Sequence, residues 1–161
     1  MAELKPKTVK ESQVIMKELV LPNDTNMLQN LLGGRLMHFM DIACAMAAAK
    51  HCNKIPVTAS VDNLVFHVPI HLGNIVTLKS SVNRAFHTSM EVGVKVEAED
   101  FETGEIKHSN SAYFTFVALD KSGNKTRVPQ VVPETDEEKR RYEQALQRRN
   151  QRIDMKNGIF K

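Results

Sequence analysis

The sequence of 161 residues has no tryptophan, only two cysteines and no long apolar run. The longest apolar run, 42–49, is much shorter than the roughly 20 residues of a membrane-spanning helix, so no membrane partner is expected. Four of the first ten residues, Glu3, Lys5, Lys7 and Lys10, are charged, and no apolar stretch of a signal peptide follows them. Cys44 and Cys52 would lie about 12 Å apart along one helix, which is too far for a disulfide. We therefore expect free thiols and a cytoplasmic protein.

The charge is nearly balanced, with 22 Lys and Arg against 19 Asp and Glu, which gives a net charge of +3. So small an excess does not favour a protein that binds nucleic acid. Hydrophobic residues make up 42% and charged residues 25% of the chain, as in ordinary globular domains, and the length fits one domain. Its aromatic core must come from seven phenylalanines and two tyrosines.

Hydrophobic periodicity predicts five strands and one long helix before residue 135. The predicted strands are 13–21, 57–68, 74–85, 90–98 and 106–119, and the predicted helix is 35–52. The turns between the later strands are short enough to require antiparallel pairing, which indicates an α+β fold. In strand 90–98 one face is apolar, and the other carries Glu91, Gly93, Lys95 and Glu97, whose side chains we expect to meet water.

The composition changes after residue 134, where three acidic residues begin a segment that is rich in Lys and Arg and poor in apolar side chains. We therefore divide the chain into a domain at 1–134 and a charged helix or tail at 135–161. Acidic residues at its start favour a helix there, because they complement the helix dipole. Two alternatives remain open: a solvated helix that frays into a loose tail, or a basic element that meets an anionic ligand or a neighbouring subunit.

Helix 35–52 is apolar on almost every side, which predicts that it is buried all round by a sheet curled around it. Asp41 lies inside this apolar stretch, beyond the first turn where the helix dipole would stabilise it. An unpaired carboxylate in such surroundings costs several kcal/mol. Asp41 is therefore either a structural residue, bonded to backbone or to His38, or a group that faces a cleft and does chemistry.

Gly33 and Gly34 precede the helix and offer bare backbone N–H groups for an anion or a carbonyl oxygen. Asn26, in the loop before them, is a turn residue unless it has a role in a site. Eight residues of helix separate Gly33 from Asp41, or about 12 Å, whereas groups that act on one reacting centre must converge within about 3 Å. An acyl-transfer site built from them would therefore be shared between two antiparallel chains.

Several segments together resemble the hotdog-fold acyl-CoA thioesterases, and more narrowly the brain acyl-CoA hydrolase branch with its small bacterial relatives. The segments are 21–26, Gly33-Gly34, Met40-Asp41, 51–53, 57–62, Phe66-His67, 88–92, 128–129 and 132–135. The resemblance covers about 14–142 and implies an antiparallel sheet wrapped around one long central helix. It also implies hydrolysis of acyl-CoA to a free acid and CoA, with no metal and no cofactor, since CoA is part of the substrate.

The resemblance assigns roles to the residues singled out above. Asp41 would attack the thioester or activate water, Asn26 would orient the carbonyl or the water, and a backbone N–H of Gly33 or Gly34 would stabilise the oxyanion. Asp41 and Asn26 would come from opposite subunits of a homodimer, and trimers of dimers are common among the relatives. Two alternatives stay open: a non-catalytic acyl-CoA-binding module, and a hotdog dehydratase that uses His38.

Two further features concern the substrate and the loop before the helix. Arg84, His87, Thr88 and Ser89 lie near a predicted strand end and are candidates for contacts with the pantetheine or phosphates of CoA. Many relatives have glycine three residues after the asparagine, whereas this chain has Gln29. This departure bears on the conformation of the apolar loop 27–32 and on the acyl-chain preference.

Overall fold

The computed structural model describes residues 3–62 and 64–159. The first two residues of the predicted domain 1–134 and the last two of the predicted tail 135–161 therefore lie outside the described residues. Its strands are β1 (Lys7–Thr8), β2 (Val14–Leu19), β3 (Ile55–Asp62), β4 (Ile75–Ala85), β5 (Ser89–Glu99), β6 (Ile106–Leu119) and β7 (Val131–Val132). Its helices are α1 (Gly33–Cys52) and α2 (Asp136–Ile159). Two short 3-10 turns, Val9–Ser12 and Pro22–Asp24, flank β2.

The main sheet has five antiparallel strands in the order β2-β4-β5-β6-β3, and α1 packs across one face of it. Alternate residues of the three central strands point toward α1 and form the core. These are buried apolar side chains, among them Val76, Leu78, Val82, Met90, Val92, Val96, Phe114 and Phe116. The prediction of an α+β hotdog fold, with an antiparallel sheet around one long helix, is confirmed.

Helix α1 begins two residues before its predicted start and ends at Cys52, where Asn53 adopts a left-handed conformation. The prediction that it is buried all round is wrong for a single chain. Met37, Ile42 and Met46 remain 38%, 38% and 40% exposed. The reason is geometric, since one sheet covers only one side of the helix. Ile42 and Met46, one turn apart, form an apolar stripe on the open side, whereas Met37 lies on another side near the start of the helix.

Both cysteines lie in α1 and are free thiols, as expected. Burial raises the pKa of the Cys44 thiol well above its ordinary value, and the nearby Asp41 carboxylate adds to this shift. Since the thiolate is the reactive form, Cys44 is an inert core residue.

Strand β3 is shorter than the predicted 57–68 and begins earlier. Pro56 lies inside it, which is tolerated because β3 is an edge strand with a free side. Within the predicted range, Asn63 lies outside the described residues, and 64–69 is a loop whose apolar side chains Val65 and Phe66 are about half exposed. The residues of this loop favour a strand by type, but they do not continue the sheet. The loop instead turns back across the start of α1, where Leu31 N donates to Ile70 O.

The prediction that Glu91 meets water is also wrong. Glu91 has no exposed surface, because α2 lies over this part of the outer face of the sheet. Arg148 from α2 binds both carboxylate oxygens of Glu91, at 2.7 and 3.1 Å, and stacks on the Tyr113 ring with 3.6 Å between its guanidinium carbon and the ring centre. The Asn83 amide donates to the same carboxylate at 3.0 Å.

Helix α2 starts at a capping box, in which Thr135 Oγ1 accepts from Glu138 N and the Glu138 carboxylate accepts from Thr135 N. It then crosses the outer face toward β3, where Arg152 pairs with Asp62. Burial raises the pKa of Asp62, although the Arg152 guanidinium opposes this shift. Arg148 and Arg152 of α2 are thus bound by carboxylates of the sheet. The division of the chain at residue 134 stays a prediction.

The buried His51 connects α1 to the segment before β7, and its hydrogen bonding predicts a pH-dependent stability. Its Nε2 donates to Pro129 O at 2.8 Å, while Nδ1 is buried without a partner among the described residues. Burial lowers the pKa of His51, because a charge is poorly solvated there. The folded state therefore resists protonation, whereas the unfolded chain takes up a proton below about pH 6.5.

We expect the free energy of unfolding to decline as the pH falls below about 6.5, with up to about 1.4 kcal/mol per pH unit coming from His51. Urea unfolding at pH 7.5 and pH 5 measures this change. His51→Gln should reduce it, while the same replacement of the exposed His67 should not. An identical pH dependence in wild type and His51→Gln would contradict the assignment.

Candidate active site

Asp41 lies half-buried on α1, and Thr58 of β3 donates a hydrogen bond to its Oδ1 at 2.6 Å. The bond that the described residues provide thus comes from neither of the expected structural partners, backbone or His38. The sequence reasoning missed Thr58, because threonine is an ordinary strand residue. Its only signal was its place in segment 57–62 of the family resemblance.

The sheet register places the β4–β5 turn near this pair. Thr58 is opposite Phe116 on β6, which in turn is opposite Met90 on β5. Met90 follows Ser89, so the start of β5 lies two strand spacings, or about 10 Å, from Thr58. The structure therefore brings Asp41, Thr58 and Ser89 to the same region of the molecule.

Gly33 and Gly34 form the first turn of α1, which has no side-chain cap from Leu32. Gly33 lines a cleft of about 310 Å³ whose walls are mostly apolar. A Cβ atom on Gly33 would lie 3.2 Å from the Phe66 ring, so the glycine allows this close approach. The uncapped N–H groups of the first turn suit a carbonyl oxygen or an oxyanion.

Asn26 is exposed, and its Oδ1 accepts from Leu28 N at 2.9 Å and Asn30 N at 3.2 Å. These two bonds fix the orientation of the amide and identify its NH₂ as the group that can donate to a substrate. Gln29 has a φ of +58°, a conformation that glycine adopts freely and that costs another residue about 1–2 kcal/mol. The departure from glycine thus leaves the turn intact.

The four candidate CoA contacts lie at the β4–β5 turn, at the strand end where they were expected. Arg84 is already engaged within the chain, because its guanidinium donates to Tyr142 O at 3.2 Å and stacks on the Tyr142 ring at 4.0 Å. His87 is exposed at the tip of the turn, and Thr88 and Ser89 are partly exposed. Their role in CoA binding stays a prediction.

Within one chain, the candidates form two separate groups. Asp41 and Thr58 lie beside the middle of β3, whereas Gly33 and Gly34 lie at the start of α1 next to Phe66 and the turn of Asn26. The helix between Gly33 and Asp41 is continuous, so they remain about 12 Å apart along its axis. The two groups cannot act on one carbonyl from the same chain.

Two general observations concern the part of the chain that the structure describes, residues 3–62 and 64–159. No three His, Cys, Asp or Glu side chains are grouped there in a way that could hold a metal ion. No helix there is both long and apolar enough to cross a membrane.

Comparison with known sequences places these features in a family. The family model described as Thioesterase superfamily matches residues 28–105. The uncharacterized acyl-CoA thioester hydrolase YkhA of Bacillus subtilis is 44% identical over 147 residues, which is 91% of this chain and 86% of that protein. The human cytosolic acyl coenzyme A thioester hydrolase is 38% identical over 86% of this chain. The matched region is 37% of the length of that human protein.

Solved structures agree with this assignment. A hexameric acyl-CoA thioesterase is 39% identical, with a TM-score of 0.90 over 94% of this chain and 97% of its own. An acyl-CoA hydrolase from Staphylococcus aureus, solved with butyryl-CoA and CoA, is 38% identical, with a TM-score of 0.85 over 95% and 96% of the two chains. The latter enzyme has also been solved with an aspartate, an asparagine or a threonine replaced by alanine. The chain therefore belongs to the thioesterase superfamily, among its acyl-CoA thioester hydrolases.

Proposed function

We propose that this acyl-CoA thioester hydrolase acts through Asp41, as nucleophile or as general base, at a site completed by a second copy of the chain. The observation that carries the proposal is the Asp41–Thr58 pair. It is a carboxylate placed in an apolar stretch of helix and held through one oxygen, while the other accepts no hydrogen bond from the described residues and can take part in chemistry.

The Staphylococcus aureus variants support this choice of residues. The three replaced positions of that enzyme are each numbered two higher than Asn26, Asp41 and Thr58 here. The residue numbers of the two chains thus differ by the same amount in three separate segments. Two chains of similar fold and nearly equal length would show such a constant difference at equivalent positions. The same three residue types were thus selected for replacement in a structure with a similar fold.

In the proposed reaction, the acyl carbonyl oxygen lies at the N–H groups of Gly33 or Gly34, which stabilise the negative charge as it develops. Asp41 either adds to the carbonyl carbon or removes a proton from a water that adds. Collapse of the tetrahedral intermediate breaks the C–S bond and releases CoA as the thiolate. In the nucleophilic route, water then hydrolyses the acyl-Asp41 anhydride and restores the carboxylate. Asn26 donates its amide N–H to the carbonyl or to the water.

The partner copy is required because Asp41 and Gly33 of one chain are about 12 Å apart. Ile42 and Met46, one turn apart on α1, form an exposed apolar stripe with the partly exposed Ala45 and Ala49, and a second α1 would cover it. With the two helices antiparallel, Asp41 of one chain faces the glycine pair of the other. We propose a homodimer as the smallest active unit, and hexameric neighbours support a trimer of dimers.

Mixing two inactive variants tests the shared site. Asp41→Ala and Asn26→Ala chains are each expected to be inactive, but a mixed dimer carries one complete site. Co-refolded at equal amounts, they should regain about a quarter of wild-type activity, since about half the dimers are mixed and half of their sites are complete. Free-thiol release from acyl-CoA measures this recovery. No recovery, with mixed dimers demonstrated by mass spectrometry, would show that Asp41 and Asn26 do not act across the interface.

The hydroxyl of Thr58 is expected to orient the Asp41 carboxylate. Thr58→Val keeps the shape but removes the donor, so kcat should fall on the order of tenfold or more while KM changes little. Thr58→Ser restores the donor and should recover most of the rate. Steady-state kinetics of the three proteins provides the comparison, and equal kcat values for Thr58→Val and wild type would refute the role.

We further propose that the enzyme works in the cytoplasm without a bound cofactor and that the β4–β5 turn contacts the CoA portion of the substrate. The cytosolic human relative supports the location. The position of the turn about 10 Å from Thr58 supports the contact, since CoA must extend away from the thioester.

A further inference from the structure

A cleft of about 650 Å³ lies on the outer face of the sheet, on the side opposite to α1 and Asp41. It opens beside the first half of α2 and is large enough for a small ligand. The side chains that the argument uses are Lys10, Lys79, Ser81, Lys95, Tyr113 and Arg141. Since residues alternate between the faces of a strand, these β4, β5 and β6 positions point away from the core.

The rim of the cleft carries an excess of positive charge. Four of its lining residues are basic, and the described lining contains no acidic side chain. Glu97 lies outside it and binds two of the lysines, with one carboxylate oxygen 3.0 Å from Lys79 Nζ and the other 3.2 Å from Lys95 Nζ. One carboxylate thus holds two ammonium groups close together and neutralises only one of the two charges. Arg141 in turn pairs with Glu137, also outside the lining, at 2.7 Å, so four cations face two neighbouring carboxylates.

The floor of the cleft is kept open by Gly93. A Cβ atom at this position would lie 2.8 Å from Asn83 Nδ2, which is held in place because it donates to the buried Glu91. Gly93 is opposite Ser81 on one side and Tyr113 on the other. The floor therefore combines bare backbone with hydroxyl groups, which can bond to oxygen atoms of a ligand.

We propose that this cleft is a binding site for a small ligand that carries two or more phosphate groups. Lysine ammonium groups bind phosphate as point charges, and the Arg141 guanidinium, which donates to Glu137 through one nitrogen, has further N–H groups that suit phosphate oxygens. A single carboxylate ligand would satisfy only one of the cations, whereas adjacent phosphates satisfy several. The cleft lies on the opposite face from Asp41, so the proposal stands independently of the catalytic assignment.

Calorimetric titration of the full-length protein with inorganic triphosphate tests the site. Wild type should bind triphosphate, and the double variant Lys79→Gln/Lys95→Gln should bind it at least about tenfold more weakly, because two phosphate contacts are lost. The matched control, Lys54→Gln/Lys107→Gln, removes two exposed lysines elsewhere and should bind as wild type does. Equal binding by all three proteins, or no binding by wild type, would overturn the proposal.

Two further measurements distinguish the source of the phosphates. If adenosine 3′,5′-bisphosphate competes with triphosphate, and the double variant raises KM for acyl-CoA, the cleft binds the nucleotide end of CoA. If triphosphate binds with no such competition and KM is unchanged, the ligand is a free phosphate compound. Both outcomes support the site. If wild type does not bind triphosphate and the double variant instead changes the assembly size in sedimentation, the face is a contact between subunits and the proposal fails.

Discussion

Asp41→Ala is expected to lower kcat for acyl-CoA hydrolysis by at least about 10³-fold, because it removes the carboxylate that attacks the thioester or activates water in the proposed reaction. The fold should survive. Asp41 is only half-buried, and its hydrogen bond from Thr58 is worth about 1.5–3 kcal/mol at most, part of which water recovers in the variant.

The measurement is release of free thiol from a series of acyl-CoA substrates, together with circular dichroism and sedimentation to confirm an intact assembly. Asp154→Ala removes an exposed carboxylate from α2 and should keep full activity. Asp41→Asn separates charge from shape and should be nearly as inactive as Asp41→Ala. Wild-type turnover in a folded Asp41→Ala protein would rule out the proposed mechanism. Binding of CoA without any hydrolysis by the wild type would instead favour the non-catalytic alternative.

The largest effect on stability is expected for Arg148→Ala. Glu91 has no exposed surface and depends on Arg148, whose guanidinium binds both of its carboxylate oxygens. Removing one partner of a buried ion pair leaves an uncompensated charge, which costs about 3–5 kcal/mol. That is a large part of the 5–15 kcal/mol by which proteins are usually stable. Urea unfolding at pH 7.5 should therefore show a clearly lower midpoint.

A second variant distinguishes this explanation from simple loss of packing. Glu91→Leu/Arg148→Met removes both charges and should recover much of the lost stability, because no buried charge is left unpaired. Arg140→Ala breaks an exposed pair with Glu137 in the same helix and should change the free energy of unfolding by less than about 1 kcal/mol. If Arg148→Ala were no more destabilising than Arg140→Ala, the buried pair would not be what holds α2 on the sheet.

Local patterns were sufficient to predict most of the secondary structure. The predicted strand 106–119 has the observed bounds of β6. Strand 74–85 differs from β4 by one residue at its start, and strand 90–98 differs from β5 by one residue at each end. Helix 35–52 differs from α1 by two residues at its start. The hydrophobic period depends on neighbours in the chain, so it can be read without knowing the fold.

The sequence predicted some site residues and missed others, because only features that depend on neighbours in the chain can be recognised without the fold. A lone carboxylate in an apolar helix is a local anomaly, so Asp41 could be singled out directly. Thr58 could not, because its role depends on a contact across 17 positions of the chain. Arg84 is a basic residue near a strand end, but its contacts with Tyr142 are set by the position of α2.

The amino-acid sequence by itself determined the order of the five long strands and the central helix, the antiparallel pairing of those strands, and the placement of one carboxylate inside an apolar stretch of helix. It did not predict the two-residue strands β1 and β7, which pair in parallel. Only the tertiary structure decided that Glu91 is buried, that 64–69 leaves the sheet and that α1 keeps an exposed apolar stripe. The physical reason is that periodicity tells which side chains share a face, whereas burial depends on what covers that face. Here α2 covers Glu91 on the outer face, and no second layer covers Met37, Ile42 and Met46 within the described chain.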